Sequence, residues 1–228
     1  MYKLEMHLHT LGKSPCAKVD ETTISELYSE AGYDGIICTN HYISELFRSY
    51  YCRGTSRDNA LYYVDGYYTL KEKCADKGID VFFGMELNPD AYSYYKPNPP
   101  HAELLIYGIE PDFVVDNPDL LFRLNQKELF QLSKECDWIL AQSHPFRPCV
   151  EPLNPRYLEA VEVLNGHPYQ TNNNEKALAM AEKYNLLHTA GSDFHFTEGI
   201  GGGVLLENPV GNNAELVKEL RRRKHSVF

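Results

Sequence analysis

The chain has 228 residues, 43% of them hydrophobic and 24% charged, which is long enough and apolar enough to bury a full core, and one domain spanning 1–228 is expected. No apolar run approaches the roughly 20 residues that cross a bilayer, so no membrane role is expected. A formal net charge of -10 excludes a broad basic face of the kind that holds nucleic acid, although bound divalent cations can still make one cleft locally positive for a phosphate substrate.

The start of the chain, Met1 to Glu5, lacks the apolar core of a signal peptide, which makes the cytoplasm the expected location. The six cysteines form no Cys-x-x-Cys pair, so neither a zinc knuckle nor a disulfide framework is indicated.

Lys3 to His9 is the first predicted strand. It carries His7 and His9 one residue apart, so both imidazoles leave the same face and can chelate a divalent metal. Glu21 to Ala31 is predicted as a helix stopped by Gly32, and Gly35 to Thr39 as a buried strand that delivers His41. After an aromatic, irregular stretch from Tyr42 to Thr55, residues Asn59 to Lys77 are predicted to be helical with Gly78 as the stop. The next strand, Ile79 to Gly84, delivers Glu86.

The proline-rich stretch from Asn88 to Pro100 suits a surface loop near the site. His101 opens a strand, Ala102 to Tyr107. A helical region, Leu120 to Glu135, leads to the strand Trp138 to Ala141 and then to His144. Ala160 to Asn165 is a strand, Asn174 to Tyr184 a helix, and Leu186 to Ala190 a strand before Asp193 and His195. An amphipathic helix with a basic end, Asn213 to Lys224, closes the sequence. Seven strand-like runs, several ending in His, Glu or Asp, are what a (β/α) barrel with its site at the strand ends looks like in sequence.

The ordered set His7-Leu8-His9-Thr10, Thr39-Asn40-His41, Gly84-Met85-Glu86, Ser143-His144-Pro145 and Gly191-Ser192-Asp193-Phe194-His195 resembles the PHP (polymerase and histidinol phosphatase) family over nearly the whole chain. That resemblance implies an α/β fold, a distorted (β/α)7 TIM-like barrel, with two or three divalent metal ions at the strand ends and phosphoester hydrolysis as the usual reaction. Residue by residue, it implies that His7, His9, Glu86 and Asp193 hold one metal, that Glu86 bridges to a second held by His101 and His144, and that His41 and His195 hold a third. Mixed imidazole and carboxylate ligands suit zinc, manganese or iron better than calcium or magnesium.

The expected reaction is hydrolysis of a small phosphorylated substrate, a phosphomonoester, by metal-activated water. Glu86 and Asp193 act in the metal centre, and Arg147 is placed to fork onto a phosphate oxygen. The alternatives are another metal hydrolase on the same centre and a metal-stabilised binding module without turnover. Glu162 and Asn165 are expected to orient ligands by hydrogen bonds. Tyrosines in 42–68 and 91–95 are expected to frame the organic part of the substrate, with ordinary packing as the rival account. His167, His188 and His225 match no motif.

Two positions depart from the family pattern. Where many members carry Asp or His after the first motif, this chain has Ser14-Pro15-Cys16, and where Asp usually precedes the second-motif histidine it has Asn40. Pro15 stiffens its loop, which favours a packed Cys16 that does not ligate metal.

Overall fold

The computed structural model describes residues 1–95 and 101–228. Chain order runs β1 (Tyr2–Leu8), α1 (Glu21–Glu30), β2 (Gly35–Cys38), β3 (His41–Ile43), α2 (Ser56–Cys74), β4 (Asp80–Asn88) and β5 (Leu104–Tyr107). It continues α3 (Pro111–Asp116), α4 (Leu120–Arg123), α5 (Gln126–Glu135), β6 (Ile139–Gln142), β7 (Ala160–Asn165), α6 (Asn174–Tyr184), β8 (Leu187–Gly191), β9 (Val204–Leu206), α7 (Asn213–Arg221) and β10 (Ser226–Val227).

The sheet order is β10-β9-β1-β2-β4-β5-β6-β7-β8, with β3 added against β4. Seven of these strands, β1, β2 and β4 to β8, are the expected barrel staves. The wall is almost closed where Leu8 bridges Phe194, with His9 N–H donating to the Phe194 carbonyl (3.1 Å) and Phe194 N–H to that of His7 (3.2 Å). Gly191 lies on this seam. A Cβ there would collide with the His7 backbone nitrogen at 2.6 Å, so only glycine lets β8 approach β1 this closely.

The staves are parallel except β5, which runs antiparallel to both β4 and β6. Parallel neighbours need a crossover helix, and among the described residues only a short 3₁₀ turn, Asp90–Tyr92, lies between β4 and β5. The reversal matters for the site, because the start of β5 now shares a rim with the ends of the other staves.

Local chemistry explains several boundaries. Asp20 caps α1 by accepting from Thr23 N–H, and Thr55 with Asp58 forms a reciprocal capping box that starts α2 three residues before the predicted boundary. The predicted helix 120–135 is two helices, because Asn125 leaves helical geometry and caps α5 with Glu128. The stretch expected to be irregular contains β3 and a π-helical turn, Leu46–Tyr51.

Tyr42, Tyr51 and Tyr63 in that region are fully buried, packed with Phe47 and in part with Phe122, so packing accounts for them and they do not frame a substrate. At the opposite end of the chain Arg221 of α7 pairs with Glu159 (Nε to Oε1, 2.6 Å) and Asp137, so the basic helix end is structural. The loop expected from Asn88 to Pro100 is described only to Tyr95; Pro97, Pro99 and Pro100 lie outside the described residues. Among the described residues no helix is long and apolar enough to cross a membrane.

Candidate metal centre

One rim of the barrel collects His7 and His9 from the end of β1, His41 from β3, Glu86 from β4, Glu103 from just before β5, His144 from after β6, and Asp193 and His195 from after β8. Glu86, fully buried, sits among four imidazoles. Its carboxylate oxygens are 3.2 Å from His7 Nε2, 3.4 Å from His9 Nε2, 2.9 Å from His41 Nδ1 and 3.0 Å from His144 Nε2. Asp193 Oδ1 faces His7 Nε2 at 3.4 Å and His9 Nε2 at 3.3 Å.

Four sets of three donors have their ligand atoms within 4.8 Å of one another: His7, His9 and Glu86; His7, His144 and Asp193; His41, Glu86 and Glu103; His9, His41 and His195. His7 Nε2, His9 Nε2, His41 Nδ1 and Glu86 Oε2 are buried without an aligned hydrogen-bond partner. Buried polar atoms are nearly always satisfied, so four orphans spread over adjoining donor sets around Glu86 fit bound divalent cations.

The outer contacts orient the lone pairs. His7 Nδ1 donates to Glu162 Oε1 (2.8 Å) and His195 Nδ1 to the Asp193 carbonyl (2.8 Å). Ser14 Oγ gives its proton to Asn40 Oδ1 (3.0 Å), so it can only accept from His9 Nδ1 (3.0 Å). In all three rings Nδ1 is engaged as a donor and Nε2 is the atom that faces inward, free to ligate whenever it carries no proton, which is how ligating histidines are held. Asn40 therefore acts at one remove, through Ser14.

His144 and Asp193 both have positive φ, 27° and 51°. Such backbone costs about 1 kcal/mol or more per residue. It is braced by His144 N–H on Glu162 Oε2 (2.9 Å) and by Asp193 Oδ2, which accepts from Arg147 Nη2 (2.6 Å).

Glu103 was not anticipated from sequence, whereas His101 was. His101 stands outside the donor groups: its Nδ1 faces the Ser93 carbonyl at 3.0 Å and its ring stacks on Tyr94. Glu103 instead lies 3.4 Å from His41 Nδ1 and 3.5 Å from His144 Nε2. The signal was present, since residues two apart on an extended chain share a face, but it needed the reversal of β5 to be read.

Glu5 was missed too. Its buried carboxylate accepts from His7 N–H, Ser192 N–H, Ser192 Oγ and Tyr28 Oη, tying β1 to the Asp193 turn. Arg147, placed on a phosphate by the sequence reading, is held by Asp193, Asn165 Oδ1 (3.1 Å) and Asn172 Oδ1 (2.9 Å). Cys16, expected to be packed away, has its sulfur 3.0 Å from His195 Nε2.

A cleft of about 630 Å³ opens over the rim, with Leu46, Tyr94, Tyr95, Val150, Tyr169 and Phe196 as walls. His167, unmatched by any motif, also lines it; its Nδ1 accepts from Tyr169 N–H (3.2 Å).

Burial opposes charge throughout the cluster; opposite charges overcome it at His7, His41, Glu86 and Asp193, whereas it prevails at His9, His195 and Glu103. Glu86 and Asp193 are held well below the usual carboxylate range, chiefly by His7 in both, while His7 is held well above 6.5 by Glu86, Glu162 and Asp193, and His41 by Cys16 and Glu86. Glu103 moves up, through burial and the neighbouring Glu86. Burial raises the Cys16 thiol less than His41 and His195 lower it, leaving it at about 6.

The raised histidines contribute stability that is complete below about pH 6.5 and lost as pH rises through their folded values. The depressed carboxylates contribute stability present above about pH 4 and lost below it. Metal-free protein is therefore expected to lose Tm as pH is raised from about 6.5 to 9, with the loss removed by zinc. Thermal melts in chelator and in zinc check this, and a flat profile in chelator would contradict it.

No match was found among curated protein sequences. The family model described as PHP-associated matches residues 171–225. In three-dimensional comparison the chain is similar, over its full length, to a two-domain protein of Bacteroides vulgatus that contains a predicted PHP-like metal-dependent phosphoesterase (TM-score 0.65, 16% identity), and it spans 64% of that protein. The fold is PHP-like. It is also similar to an inferred metal-dependent phosphoesterase of Bifidobacterium adolescentis (TM-score 0.55, 14% identity, 97% of this chain and 96% of that one). An amidohydrolase of Chromobacterium violaceum, with sulfate and no metal bound, is similar at TM-score 0.59 and 13% identity, over 99% of this chain and 97% of that one. In this PHP-like barrel the donors occupy the strand-end rim where barrel enzymes carry their chemistry.

Proposed function

We propose that this chain is a metal-dependent phosphoesterase acting on a small phosphomonoester. The carrying observation is Glu86 encircled by four imidazoles, with orphaned lone pairs directed at one another beneath an open cleft.

In this reading His7, His9, Glu86 and Asp193 hold one divalent ion, His144, Glu86 and Glu103 a second, and His41 and His195 with further donors a third. Zinc, manganese or iron suits this donor set. When bound, such ions supply Lewis acidity and lower the pKa of a coordinated water toward neutrality.

Arg147 is pre-set by Asn165, Asn172 and Asp193, leaving Nη1 to donate to a phosphoryl oxygen and to stabilise charge that grows there. Phe196 offers a flat apolar surface, and Tyr94, Tyr95 and Tyr169 offer the same with polar tips, to the organic part of the substrate. The names of the Bacteroides and Bifidobacterium relatives agree with this chemistry, and the sulfate of the Chromobacterium relative is a tetrahedral dianion like phosphate. Six free thiols suit a reducing compartment, so the reading places the reaction in the cytoplasm.

The amidohydrolase relative is the observation that keeps a second reading, amide hydrolysis on the same centre. A panel of phosphomonoesters, phosphodiesters and cyclic amides, run with zinc-, manganese- and iron-reconstituted protein, separates the two. Turnover of phosphomonoesters that chelation abolishes is expected, and turnover of amides alone would replace the proposal.

A further inference from the structure

The sulfur of Cys16 occupies a place that the hard-ligand pattern of the site does not explain. Cys16 follows Pro15 in the loop after β1 and lines the cleft, and its Sγ is 3.0 Å from His195 Nε2. His195 cannot present its other nitrogen to the sulfur, because Nδ1 donates to the Asp193 carbonyl at 2.8 Å. The sulfur therefore faces a nitrogen lone pair with at most one proton between them, and that is where a cation would go.

A second observation, independent of the cysteine, points to a ligand at this spot. His9, 0% exposed, has Nε2 unpartnered, and one donor atom from each of His9, His41 and His195 lies within 4.8 Å of the others. Ser14 fixes the His9 tautomer so that this nitrogen carries a lone pair.

We propose that Cys16 is a thiolate ligand, completing with His41 and His195 a soft metal position on the cleft side of the centre. The inference rests on the metal-centre reading above and concerns a residue that reading leaves out. Binding exchanges the thiol proton for the cation: the S–H bond breaks, the proton leaves to solvent, and the sulfur lone pair forms the bond to the ion. Tetrahedral zinc with one thiolate and one imidazole separates S and N by roughly 3.6 Å, from Zn–S of about 2.3 Å and Zn–N of about 2.05 Å, so the pair opens by only about half an ångström from its hydrogen-bonded distance.

The functional consequence is metal choice. Thiolate favours zinc, iron(II) and cobalt(II) over manganese, whereas Asp or Ser at the same place would not. Pro15 stiffens the loop and limits how far the sulfur can swing away.

Cobalt(II) tests this with a readout other than turnover. Apo-protein titrated with cobalt is expected to develop a near-ultraviolet thiolate-to-cobalt charge-transfer band in its last equivalent. Cys16→Ser should lose the band and bind that equivalent about 100-fold more weakly, at the upper end of what losing even an outer partner costs. Cys16→Asp should lose the band, keep the equivalent and shift preference toward manganese, which shows that the loop still folds. Cobalt bound in the donor cluster with no such band, or a band unchanged in both variants, would overturn the assignment of Cys16 alone. Failure to bind cobalt at all would overturn it together with the metal-centre reading.

Discussion

Glu86→Gln is expected to lower kcat by about 1,000-fold or more and to lose more than one equivalent of metal. The change keeps the shape of the side chain but removes the single negative charge that four imidazoles face at 2.9 to 3.4 Å. Metal ions held there by Glu86 would supply several kcal/mol of transition-state charge stabilisation, and each roughly 1.4 kcal/mol is tenfold in rate. In the metal-free variant His7 and His41 also lose the partner that helps keep them protonated, so the fall in stability at high pH should shrink. Kinetics with metal analysis, and melts against pH, measure the two effects. A variant with normal metal content and a rate loss under tenfold would remove Glu86 from the centre.

Asp193→Asn is expected to cost about 100- to 1,000-fold in kcat with little change in Tm. Asp193 has φ of 51°, a conformation that asparagine tolerates as well as any non-glycine residue. The amide oxygen can still accept from Arg147, which now pairs through Oδ2 at 2.6 Å. Its NH₂ then points at His9 Nε2, where Asp193 Oδ1 stood at 3.3 Å. A donor facing that lone pair satisfies it as the metal would, so folding is largely spared while metal binding is not. Parallel losses of activity and of urea midpoint would make Asp193 structural instead.

Much of this arrangement was legible in the sequence, for identifiable reasons. The seven staves follow from apolar runs bounded by glycine and proline, and the strand-end positions of His7, His41, His144 and Asp193 follow from where those runs stop. Glu86 was read as lying just after its strand, yet β4 continues to Asn88 because β3 and β5 pair with that extension.

What sequence could not show depends on chain direction and on contacts between distant residues. The antiparallel β5 turns a strand start into a site position, and only then does Glu103 come inward while His101 turns to Ser93 and Tyr94. The left-handed backbone at His144 and Asp193 is stabilised by Glu162 and Arg147, partners 18 and 46 positions away. The surroundings of Cys16 were hidden for the same reason, since nothing local tells that its sulfur meets a histidine 179 positions later.

The central claim is that this rim is a centre for more than one metal ion organised by Glu86. Stripping the protein with chelator, reconstituting it with zinc or manganese, and counting bound metal by elemental analysis tests that claim most directly. At least two equivalents are expected in the wild type, with more than one lost in Glu86→Gln. One equivalent or fewer in fully folded, reconstituted wild-type protein would contradict it.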